Sequence, residues 1–172
     1  MIPPIPAGIR DSLILLAAAL LHEAGHVLAC VLLRVPLRFF RLRVSGAVIG
    51  YDASHLSYPA EALIAAAGPL AGFLGTAAVF GTRNHAAFLF GMASLVLSLF
   101  NLLPIPPLDG GVILSAFLHM YLEEDRCARI LLVLRRAGTV LMWLFAVTLQ
   151  LRCGGNLSLL ILSVCLLVRL TE

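Results

Sequence analysis

The sequence predicts an all-α membrane protein, a polytopic bundle of about five transmembrane helices with a short membrane-associated β-hairpin. Composition is the first observation behind that class. Of 172 residues, 61% are hydrophobic and 12% charged, against about half apolar and one quarter charged in soluble domains, and mean hydropathy is +1.03. So few polar groups cannot cover a globule of this length, and lipid is the expected solvent. The second observation is spacing: long apolar runs recur along the chain, joined by short polar or arginine-bearing connections. No repeat, low-complexity linker or second soluble unit interrupts them, so residues 1–172 read as one intramembrane domain.

The first apolar segment runs from about Ser12 to Leu33, long enough at about 1.5 Å per residue to cross a hydrocarbon core of about 30 Å. It has no small-residue cleavage site and is not expected to be a removable signal peptide. The stretch from Val35 to Pro59 is rich in β-branched and aromatic residues, with Gly46 and Gly50 as breakers, and predicts short strands paired as a hairpin at the membrane surface. A second span is expected from about Glu61 to Phe80 and a third from about Ala86 to Leu103, joined by the polar turn GTRNH. The segment NLLPIPPLDGG then places three prolines and two glycines where regular helix cannot continue. Helix should resume near Val112 and end near Glu123-Glu124-Asp125. Two shorter spans, about Gly138 to Leu151 and about Leu157 to Val168, complete the bundle.

The chain has no lysine, and its formal charge of +3 is carried by arginine. These arginines lie in connections between apolar segments rather than on a basic, aromatic-rich face, so nucleic acid is not an expected partner. If five spans alternate, nine arginines fall on one side and only Arg10, Arg83 and Arg152 on the other. The positive-inside rule then puts the N-terminus outside and the C-terminus in the cytoplasm. Cys30, Cys127, Cys153 and Cys165 form no C-x-x-C pair and read as buried free thiols.

Chemistry concentrates in HEAGH at residues 22–26. On a helix, His22 and His26 share one face about one turn apart, close enough for one tetrahedral ion, and zinc suits neutral imidazole. Glu23 follows the first histidine, where a carboxylate can take the proton of an attacking water and later return it to the leaving amine. Two histidines and a glutamate could instead bond to neighbouring helices. Three ionisable groups within five residues at mid-span cost several kcal/mol, however, and in lipid such groups mark function.

A catalytic zinc site needs a third protein ligand. Cys30 lies eight residues beyond His22, about 12 Å along the axis, which is too far. Glu61, His55 and His85 sit in or beside loops and His119 near an acidic helix end, so bland roles fit all four. Asp109, in the broken apolar segment, is the only acidic residue between Glu61 and Glu123. Irregular backbone at membrane depth requires a polar pocket, which Asp109 would face. From the residues alone, zinc ligation and capping of the next helix stand level for it. Asn101 could bond an extended substrate or a neighbouring helix. Gly68, Gly72 and Gly75 form a small-residue face for close packing of another helix, with the HEAGH helix as a candidate.

HEAGH at 22–26, AAAGPLAG at 65–72 and NLLPIPPLDGG at 101–111 together resemble, in order and spacing, the site-2 protease family of intramembrane metalloproteases, and within it the branch of stage IV sporulation protein FB. The resemblance implies that Asp109 is the third zinc ligand, that Asn101 lies close to bound substrate, and that the hairpin guides it. It implies a zinc-dependent metalloendopeptidase of the bacterial cell membrane. Its substrates would be transmembrane or membrane-associated proteins cut in or near their spans, such as a pro-sigma or anti-sigma factor, with regulatory membrane proteins as further partners. The family's span before the zinc helix, the CBS domain of the sporulation enzyme and a PDZ insertion are not evident. Two rivals remain at this stage. A catalytically silent metal binder that sequesters a partner helix would not need Glu23, and a metal transporter would show several ligand clusters along a path.

Overall fold

Five helices and one two-stranded ribbon make up the part of the chain that the computed structural model describes, residues 7–35, 37–43, 46–51 and 56–153. Helix α1, Ala7–Leu32, is a proline-free run dominated by alanine and leucine, residues that lose little on entering a helix. It ends in a Schellman turn: Arg34 adopts φ 55°, its N–H donates to Val31 O at 3.1 Å, and Val35 N–H donates to Cys30 O at 2.9 Å. Val35 closes the turn by packing on Cys30 and on Ile64. Strands β1, Leu37–Arg43, and β2, Gly46–Tyr51, follow and pair antiparallel.

Helix α2, Tyr58–Val79, starts with proline in its first turn, where no N–H is needed, and has Glu61 at the positive end of its dipole. It runs antiparallel to α1, since Ile64 packs near Cys30, Gly68 against His26 and Gly75 against Leu21. Helix α3, His85–Asn101, is capped by Asn84, whose side-chain oxygen accepts Ala86 N–H at 2.8 Å. It turns back along α2, with Phe90 touching Gly75 and Ser98 touching Gly72. The Thr76 hydroxyl sits between the carbonyls of Gly72 on its own helix and Gly91 on α3. The small-residue face is therefore shared: Gly68 and Gly75 serve the HEAGH helix as anticipated, whereas Gly72 receives α3.

Helix α4, Asp109–Tyr121, begins after the broken segment and runs antiparallel to α2, so that His119 stacks on Tyr58 with ring centroids 5.3 Å apart. Helix α5, Glu124–Cys153, corrects the expected acidic-basic loop and separate span from Gly138. Acidic residues at its N-terminus complement the dipole, and no proline or glycine turn divides the arginine-bearing half from the apolar half. Among the described helices, α1 and α2 are long and apolar enough to cross a membrane, and α3 is a shorter apolar helix. The expected span 157–168, with Cys165 and Arg169, lies outside the described residues, as does His55.

Apolar and polar side chains are distributed as a lipid solvent dictates. Leu13, Leu15, Leu16 and Leu20 are each more than half exposed, while His22, on the same helix, is 3% exposed. In water that arrangement would waste hydrophobic burial; in hydrocarbon it costs nothing on the outside and confines polarity to the inside.

Candidate metal centre

His22 and His26 project from one face of α1 and meet Asp109 at the first turn of α4. His22 Nε2 lies 3.0 Å from Asp109 Oδ2, His26 Nε2 lies 3.4 Å from the same oxygen, and the two Nε2 atoms are 3.3 Å apart. Donors about 2.0–2.2 Å from a tetrahedral zinc ion stand about 3.3–3.5 Å from one another. The observed triangle has nearly that size. Side-chain exposures of 4%, 12% and 19% for His22, His26 and Asp109 leave it largely enclosed.

Hydrogen bonding orients His26 toward the other two side chains. His26 Nδ1 is 2.8 Å from Ile64 O, a carbonyl that can only accept, so the proton of a neutral ring belongs on Nδ1. Its Nε2 then directs a lone pair at a carboxylate oxygen and at a second imidazole. A proton on His22 Nε2 would satisfy one of these contacts, whereas a cation between the three atoms would satisfy all of them at once. The chemistry of the set, two neutral nitrogens and one carboxylate oxygen, suits zinc.

Each member is placed by local sequence. Gly68 lies against the His26 ring, and a methyl group there would overlap Nε2, the nitrogen facing the cluster. Asp109 is held by LDGG: a Cβ on Gly110 would strike the carbonyls of Leu102 and Leu103, and one on Gly111 the backbone of Ile105 and Pro106. The broken segment can thus fold tightly onto the first turn of α4. Leu108 occupies the N-cap position, and Asp109 points at the histidines, so capping is not its role.

Glu23 follows His22 and is half-buried beside the cluster. Asn101 ends α3, where its Nδ2 donates to Leu97 O at 3.0 Å. His119 bonds back to Ser115 O, and exposed His85 begins α3. Glu61 lines a cavity of about 350 Å³ with Ser115 and Arg135, bounded by α2, α4 and α5. Sequence reasoning placed Arg135 in a loop and so missed its place on the wall of this cavity; it also missed Ile64 O and the specific contact of Gly68 with His26. Only the small size of residue 68 signalled the latter.

Relatives share this architecture. The profile of peptidase family M50 matches residues 75–145, which include Asp109 and the whole broken segment. A protein of Synechocystis sp. classed provisionally as a zinc metalloprotease is 31% identical over 148 residues, covering 80% of this chain and 38% of the relative. The chain therefore spans about two fifths of the length of that curated relative. The site-2 protease from Methanocaldococcus jannaschii superposes with a TM-score of 0.67 over 90% of this chain and 72% of that one, at 24% identity, a likeness of fold. With the histidine helix, the glycine-lined α2 and the LDGG turn all in place, the chain is similar to peptidase family M50 in sequence over residues 75–145 and to a site-2 protease in fold.

Proposed function

We propose that the protein is an intramembrane zinc endopeptidase that hydrolyses peptide bonds in or near the transmembrane segments of membrane-tethered proteins. The observation that carries this reading is the convergence of His22, His26 and Asp109 within 3.0–3.4 Å of one another inside an apolar helix bundle. A zinc ion held by these three residues supplies Lewis acidity, polarising a carbonyl and easing deprotonation of water. Glu23 accepts the proton of the attacking water and returns it to the departing amine. His26, fixed by Ile64 O, and Asp109, fixed by the glycine turn, keep their donor atoms aimed without rearrangement.

Substrate must unwind locally, because an intact helix hides its amides in hydrogen bonds. The β1–β2 ribbon, lying between α1 and α2 in sequence, offers an edge to which an unwound segment can add as a strand, and Asn101 offers its amide to the same segment. In the membrane, α1 and α2 cross singly, α3 and α4 make one broken crossing, α5 makes the next, and the span expected from the sequence at 157–168 would be the fifth. The N-terminus is then outside and the C-terminus cytoplasmic.

The test is to purify wild-type and Glu23→Gln protein, measure zinc, and incubate both with single-span substrates carrying helix-breaking residues. The variant should hold zinc as wild type does and lose cleavage by about 10²–10⁴-fold. Equal cleavage by both would remove Glu23 from the mechanism. Wild-type protein that holds zinc and cuts nothing would replace the enzyme with a silent metal binder.

A further inference from the structure

Three buried side-chain atoms among the described residues lack a hydrogen-bond partner: His22 Nδ1, Ser94 Oγ and Ser98 Oγ. The two serines are unusual for this protein. Ser12, Thr139 and Thr148 each turn the hydroxyl back to the carbonyl four residues earlier, and Thr76 does so while also facing α3. Ser94 and Ser98 do not, although they are 1% and 0% exposed. Both lie on the face of α3 that packs on Gly72 of α2, where a Cβ on Gly72 would overlap Ser98 Oγ.

Helix pairing brings this face level with the metal centre. Leu21 of α1 and Phe90 of α3 meet at Gly75, and α1 and α3 both run antiparallel to α2. Ser94 is one turn beyond Phe90, and His22 opens the turn beyond Leu21. His22 lies between Leu21, which meets Gly75, and His26, which meets Gly68, and Gly72, against which both serines pack, lies between the same two glycines, so the three unpartnered atoms belong to the same stretch of the α1–α2–α3 junction.

We infer that Ser94 and Ser98 hold one internal water that accepts the Nδ1 proton of His22, making the two serines positioning residues for the metal ligand. This rests on the zinc reading given above. Residues four apart on a helix stand about 5–6 Å apart, and one water hydrogen-bonded to both hydroxyls spans that distance. A buried water typically makes about three hydrogen bonds to groups that otherwise have none, and three such groups are present. The result is a second support for the site. His26 is oriented by a backbone carbonyl, and His22 by a water on two hydroxyls, each keeping its Nε2 lone pair directed at the metal.

The experiment compares zinc affinity by chelator competition, together with thermal unfolding of metal-free protein, for wild type, Ser94→Ala, Ser94→Thr and Ser94→Ala/Ser98→Ala. Loss of an outer support weakens metal affinity about 10–100-fold. The double variant should show that loss, Ser94→Thr should restore affinity toward wild type, and unfolding of the metal-free form should change little. Variants that unfold earlier yet bind zinc as tightly as wild type would overturn the inference while leaving the metal site intact. A wild-type protein that takes up no zinc would overturn both.

Discussion

Gly68 shows how a single missing side chain shapes the candidate metal centre. It lies against the imidazole of His26, and the absent Cβ leaves that ring room to reach Asp109 while Nδ1 bonds Ile64 O. Gly68→Ala should therefore reduce zinc affinity at least tenfold in chelator competition, because the ring must tilt or α1 must move. Unchanged affinity would mean that the ring has freedom the packing does not suggest. The histidines and Glu23 were legible in the sequence because one helix fixes their spacing. Asp109 was legible only as a candidate: its partners lie 83 and more positions away, and spacing arguments cannot close so long a gap. The resemblance implies the ligand, and the geometry supports that reading by placing Leu108 at the N-cap and turning Asp109 toward the histidines.

Helix contacts discriminate among glycines that look alike in sequence. A Cβ on Gly25 would strike the backbone carbonyl of Ala67 and come within 2.8 Å of Ala71 Cβ, whereas one on Gly75 would meet the flexible tip of Leu21. Backbone cannot yield, and a leucine tip can rotate. Gly25→Ala should thus lower stability by about 1–3 kcal/mol, and Gly75→Ala by much less, as read from unfolding midpoints in detergent. Equal losses would show that α1 and α2 shift as rigid bodies. The elements α1 to α4 followed from apolar runs and breakers, since proline and glycine act locally. The continuity of α5 did not, because arginines suggested a loop, while helix geometry accepts arginine wherever its side chain can reach water or a polar cavity.

At the scale of the whole molecule, antiparallel α1 and α2 place Arg34 at one end of the bundle, and Arg10 and Arg83 toward the other. Arg38, Arg41 and Arg43 follow Arg34 on β1, and Arg126 and Arg129 begin α5 near the same end, where α4 has returned to the level of Tyr58. The imbalance persists after the revision of α5, since moving Arg135 and Arg136 into a helix takes away only two of the arginines first counted on that end. The positive-inside rule predicts that this end faces the cytoplasm. The native cysteines can be replaced and single cysteines introduced at Thr82, in the exposed turn before α3, and at Arg126. A membrane-impermeant maleimide applied to intact cells should label position 82, and reach position 126 only after permeabilisation. The reverse pattern would invert the protein and put the ribbon outside, so that an unwinding substrate would have to approach from the extracytoplasmic face.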